Sequence, residues 1–203
     1  MNAEKKSGFR TLLASVLLSA PGPLILGFGL MLGRSSTQIS DFTRRTAELL
    51  AIVISFVVYL VTNKRPNMEE ARKKRIERSG NRFVGAVMCF SGLSMLLLTF
   101  LSESESKGNV VLPFVIAFLG AVTNLFFWRK YTALSRRQSD SVLRVQARLY
   151  GAKSVVDVCV VAALLAVLAF PASRASYYLD TIGSVLVSLY MIRCGVKTIL
   201  EAV

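Results

Sequence analysis

The chain has 203 residues, 53% of them hydrophobic, and a formal net charge of +13 with no histidine. Six membrane spans of about 20 residues each would use about 120 of them, which leaves short connections and excludes a separate soluble domain. The basic excess sits in particular inter-span segments, without an aromatic-basic motif or a zinc-ligand spacing, so it reads as membrane topology and not as a nucleic-acid surface.

In chain order, the first span covers about 9–33, bent at Pro21-Gly22-Pro23. Lys5, Lys6 and Arg10 followed by TLLASVLLSA are similar to a secretory leader. The apolar run continues through PGPLILGFGLML to Leu32, too long for a leader core, so it reads as a retained span. Gly29-x-x-x-Gly33 would permit close helix approach, although this spacing is common in spans of every kind. The second span covers 41–62, the third 83–101, the fourth 110–128, the fifth 149–170 and the sixth 177–200. The expected fold is all-α: a six-helix transmembrane bundle, one domain over residues 1–203, with the lipid bilayer as its surroundings. Because the chain ends at Val203 just after the sixth span, no C-terminal cytoplasmic domain is expected. Cys89, Cys159 and Cys194 each lie inside an apolar segment, far apart in sequence, and read as small packing residues.

Lysine and arginine set the orientation. The N-terminal tail holds three basic residues, and NKRPNMEEARKKRIERSGNR between spans two and three holds eight against three acidic. Arg129, Lys130, Arg136, Arg137, Arg144 and Arg148 lie between spans four and five. SESESKGN and PASRASYY on the alternate side are nearly free of them. The positive-inside rule places both termini and the two basic segments in the cytoplasm. Arg34, Arg44 and Arg45 oppose that bias, three against seventeen. The basic segments orient the chain, and could equally meet anionic lipid or a partner.

Ionisable residues inside apolar spans are the place to look for function. The second span opens ISDFTRRTAELLAIVISF, in which Asp41, Arg44 and Glu48 are spaced i, i+3, i+7 on one face, with Arg45 beside them. The fifth contains LYGAKSVVDVCVV, where Lys153 and Asp157 are i and i+4. Asp180 opens the sixth near its outer surface. Two inward carboxylates on different helices, Glu48 and Asp157, are what a hard cation needs. The competing reading is one salt bridge within each helix, Arg44 to Glu48 and Lys153 to Asp157, each easing the insertion of its own charges. Spacing alone leaves both open.

At these residues the chain resembles the cation diffusion facilitator family of divalent-metal/proton antiporters. SSTQISDFTRRTAELLAIVISF resembles its second span, RPNMEEARKKRIERSGNRFVGAVM the loop into its third, and AVTNLFFWRKY with Asn124 its fourth. LYGAKSVVDVCVV resembles its fifth span, and YYLDTIGSVLVSLYMIRCGVKTILEAV, the most specific stretch, its sixth. The resemblance implies a six-span bundle, a homodimer formed through the membrane domain, a tetrahedral metal site between spans two and five, and alternating access that exchanges metal for protons. The family's two ligand pairs fall on Arg44 with Glu48 and on Lys153 with Asp157. Only Asp157 keeps the family's residue; Glu48 keeps the charge on a longer arm, and two cations replace ligands. Arginine has no acceptor and stays protonated, so it cannot ligate. Lysine ligates only after losing its proton.

The expected function is therefore a divergent cation transporter, a cation/proton antiporter in the cell membrane. Asp41, Arg44, Glu48, Lys153 and Asp157 form its ion-binding or proton-coupling site. Glu48 and Asp157 are its metal ligands, and zinc, manganese or iron its cargo. The alternative is a transport-inactive pseudo-transporter acting as a structural or regulatory membrane partner. An enzyme is not expected: there is no nucleotide loop, and no serine or cysteine with a nearby base.

Overall fold

In hydrocarbon a chain must satisfy its own backbone groups, and a long apolar run does so as a helix. The structure, a computed structural model, describes residues 3–24, 27, 36–64, 68–101, 111–169 and 174–202. Its helices are α1 (Ala3–Ser19), α2 (Ser36–Lys64), α3 (Glu70–Leu101), α4 (Val111–Gln138), α5 (Ser141–Ala169) and α6 (Arg174–Glu201). Among the described residues there is no strand, so the all-α expectation holds. Among the described residues four stretches are long and apolar enough to cross a membrane: Phe42–Asn63 in α2, Glu70–Leu101 in α3, Ser141–Ala166 in α5 and Thr181–Glu201 in α6. Parts of the first and fourth expected spans lie outside the described residues, as do Gly29-x-x-x-Gly33, Arg34 and the SESESKGN segment. The side chains of Asp41 and Asp180 also lie outside them.

The two basic segments are mostly helix, which the reading of spans and loops had not assigned. EARKKRIER is made of good helix formers, and α3 starts at Glu70, thirteen residues before the expected span. At 1.5 Å per residue its 32 residues reach about 48 Å, well beyond a hydrocarbon core of about 30 Å. Between α4 and α5 only Ser139 and Asp140 are non-helical. Ser139 takes a left-handed conformation, φ 50°, which ends α4. Asp140 then caps α5, its Oδ1 accepting from the amides of Val142 at 2.9 Å and Leu143 at 3.2 Å. Its Oδ2 accepts from Asn63 Nδ2 at 3.4 Å, which ties the turn to the end of α2. Asp140→Ala is expected to cost about 1 kcal/mol, read as a lower unfolding midpoint in detergent; an unchanged midpoint would show that the cap carries nothing.

The helices pair unevenly. α3 lies along α6 and α4 along α5, α2 packs on α3, and α1 rests against α2 and α4. Hydroxyl groups fasten α1: Ser15 Oγ bonds Tyr131 Oη at 2.7 Å, Ser19 Oγ meets Tyr150 Oη at 3.3 Å, and Tyr59 Oη donates to the Lys5 carbonyl at 3.1 Å. Away from the basic segments every helix turns large apolar side chains outward, as at Leu17, Val57, Phe100, Phe118, Val158 and Leu186, which suits lipid and would be costly in water.

Burial is strongly one-sided. Among the described residues, the buried positions of α2 run from Glu48 toward Lys64, and those of α3 from Gly80 to Gly92. On α4 they run from Phe127 to Leu134, and on α5 from Val142 to Val156. The bundle is thus tightly packed toward the end that carries the basic segments and looser toward the other. In the looser half a cavity of about 20 Å³, room for one water, is lined by Met95, Cys159, Gly183 and Ser184.

Candidate functional site

Glu48 and Lys153 meet where the tight half begins. α2 and α5 run antiparallel, and the face of α2 that carries Arg44 and Glu48 turns onto the face of α5 that carries Lys153. Glu48 is 5% exposed. Its Oε2 lies 3.2 Å from Lys153 Nζ and its Oε1 3.7 Å from Arg44 Nη1. The Lys153 ammonium also lies over the Tyr150 ring, 5.4 Å from its centroid, a cation–π contact in a desolvated place. Asp157 is one turn further along α5, and its Oδ2 accepts from Asn124 Nδ2 of α4 at 2.6 Å. Gly120, one turn from Asn124 on α4, faces the same carboxylate.

Both readings left open by spacing are partly realised. The Arg44–Glu48 pair forms within α2 as the i, i+4 alternative had it. On α5 the ion pair is between helices instead: Lys153 reaches Glu48, and Asp157 takes an amide from α4. The reason is geometric. Lysine's long stem can span to the neighbouring helix, where it meets a buried carboxylate, while the short aspartate stays beside α4. Glu48 and Asp157 both turn inward, and Glu48, Lys153 and Arg45 all lie within electrostatic reach of Asp157. Arg44 also approaches Met95 Sδ at 3.7 Å. Asp41 follows on the same helix, but its side chain is outside the described residues.

The arrangement is poor for a divalent metal. Among the described residues no three cysteine or carboxylate groups come together to hold one. Two unit charges 4 Å apart interact by about 4 kcal/mol at an effective dielectric near 20. A dication at Glu48 would meet twice that from each of Arg44 and Lys153, against it. Glu48 Oε1 is buried and accepts no hydrogen bond, with the Arg44 guanidinium 3.7 Å away.

Residue spacing also predicted less of the polar seam than exists. Gln146 of α5 donates from Nε2 to Ser55 Oγ of α2 at 2.6 Å, both residues 2% exposed or less. Ser55 is seven residues from Glu48, and Gln146 seven from Lys153, so the two pairs share one face of each helix. That i, i+7 spacing was the signal for them, hidden because Gln146 lay in the stretch read as a loop. Asn124 entered only through the resemblance of the fourth span.

Comparison with protein families finds that the model of the cation efflux transmembrane domain matches residues 12–203. No curated protein matches the chain.

Proposed function

Since the chain belongs to the cation efflux transmembrane domain family, and is thus an integral membrane protein of a cation transporter family, we propose that it exchanges a cation for protons at a site formed by Glu48, Lys153 and Asp157, with Arg44 and Asp41 beside them. The observation that carries this reading is the 3.2 Å contact between Lys153 Nζ and Glu48 Oε2. The chain's own ammonium stands where a cation bound by Glu48 would stand. Cargo and Lys153 then compete for one carboxylate, and the site is never left as a bare anion in hydrocarbon, where such a charge is costly. Asp157, held by Asn124, supplies the second carboxylate on the path. The charge balance favours a proton or a singly charged guest over a dication while Lys153 stays in place; a dication enters only as Lys153 withdraws. The basic segments and both termini face the cytoplasm of the cell membrane in this reading, as the lysine and arginine bias requires.

A second reading rests on the same contacts: with Glu48 engaged by two cations and Asp157 by an amide, the bundle is a transport-inactive partner of another membrane protein. Flux separates the two. Purified protein in vesicles under a pH gradient is expected to move zinc, manganese, iron or cobalt, and Asp157→Ala to abolish the movement. Absence of flux for all four and for sodium and potassium, with wild-type folding, would establish the partner reading.

A further inference from the structure

The Ser55–Gln146 pair is not explained by packing. Seven residues of helix rise by about 10.5 Å, so this pair lies two turns from Glu48–Lys153, toward the basic end. Asn63 with Asp140 follows eight residues further along α2, at the mouth of the seam. The residue numbers of facing partners sum to nearly the same value at each level, as antiparallel helices in one register require. The seam therefore carries a polar pair at three levels, with apolar layers such as Ile52 and Leu149, both 0% exposed, between them.

Gln146 is 0% exposed, and its Oε1 has no hydrogen-bond partner. An amide oxygen left unsatisfied in the interior costs about 1–3 kcal/mol, a cost that a leucine at this position would avoid. We infer that Ser55 and Gln146 form a second cation station on the route between Glu48 and the basic end of the bundle, built from neutral oxygen atoms and taking a cation together with its hydration water. This rests on the transport reading above. Two features fit such a station. Its oxygens carry no formal charge, so a cation is held weakly enough to move on. The apolar layers on either side close it in this arrangement, while the opposite half of the bundle is loose, which is the asymmetry that one-sided access demands.

The test uses the whole chain in vesicles, with zinc and manganese as probes. Gln146→Leu is expected to slow flux about tenfold or more, the equivalent of one lost oxygen contact, with an unfolding midpoint at or above wild type. Gln146→Glu is expected to keep flux and lower KM, because it adds negative charge at the station; a merely structural glutamine would not give that split. Wild-type flux in Gln146→Leu overturns the station. A separate measurement keeps this independent of transport. With Cys89, Cys159 and Cys194 replaced by alanine, Gln146→Cys is expected to react with a membrane-impermeant cationic thiol reagent added on the side of the basic segments. If the wild type carries no cation yet this cysteine reacts, the transport reading fails while the seam is still a water-accessible path. If the cysteine stays inert, the station itself is overturned.

Discussion

Lys153→Met is expected to destabilise the bundle by about 3–5 kcal/mol, and adding Glu48→Gln to recover part of that loss, the rest being the carboxylate that Arg44 loses. The size follows from what is left behind. Removing the lysine keeps Glu48 buried at 5% exposure, with the Arg44 guanidinium 3.7 Å away, and an under-compensated charge in the interior is the expensive outcome. Neutral polar contacts between membrane helices average only about 0.6 kcal/mol in double-mutant cycles, so a small effect would mean that the pair behaves as an ordinary hydrogen bond. Methionine preserves the length and packing of the lysine stem, which isolates the charge. The double variant removes the Lys153 and Glu48 charges together and leaves a neutral amide facing a thioether, with the Arg44 guanidinium still charged beside it. Unfolding in detergent, compared across the wild type, the two single variants and the double variant, gives the coupling directly. Equal stability of wild type and Lys153→Met would remove the electrostatic account of this site.

How much of this was legible from residues follows from which physical term decided each feature. Apolar run length announced the helices, of which four among the described residues are long and apolar enough to span, and helical spacing put Arg44 beside Glu48. The partner of Lys153 could not be read from i, i+4 spacing, because a long side chain chooses between its own helix and the neighbour by desolvation and reach, and the neighbour won. The basic stretches were read as loops from their charge. Charge does not break a helix, and without glycine or proline the residues from Tyr131 to Gln138 and from Ser141 to Arg148 simply extend α4 and α5. That single misreading hid Gln146. The close crossing of α3 and α6 was equally silent, since the glycines that permit it are unremarkable until the two helices are seen side by side.

That crossing yields the second large effect. Gly85 and Gly195 bring the backbones of α3 and α6 together. A Cβ built on Gly195 would lie 2.6 Å from Cys89 Sγ, 2.7 Å from the Gly85 carbonyl oxygen and 2.8 Å from the Cys89 nitrogen. Two of those three atoms are backbone, so no side-chain rotation relieves the overlap and α3 must move as a body. Gly183, twelve residues earlier on α6, has nothing within 4 Å of its built Cβ. Alanine gains about 1 kcal/mol over glycine in a helix interior, and overpacking costs about 1–3 kcal/mol. Gly183→Ala is therefore expected to be neutral or stabilising and Gly195→Ala less stable than it by the overpacking cost, a spread of roughly 1–3 kcal/mol between two identical substitutions on one helix, because the helix gain is common to both. Thermal unfolding of both variants in the same detergent measures it. If Gly195→Ala matched Gly183→Ala, close backbone approach would not hold α3 against α6. The pairing would then rest on the ring of larger contacts around it, including Ile192 and Ile199, which press on Gly92 and Gly85. Small residues are what allow helices to associate in lipid, where burying apolar surface gives no advantage over contact with acyl chains, so the sign of this difference reports which force closes this side of the bundle.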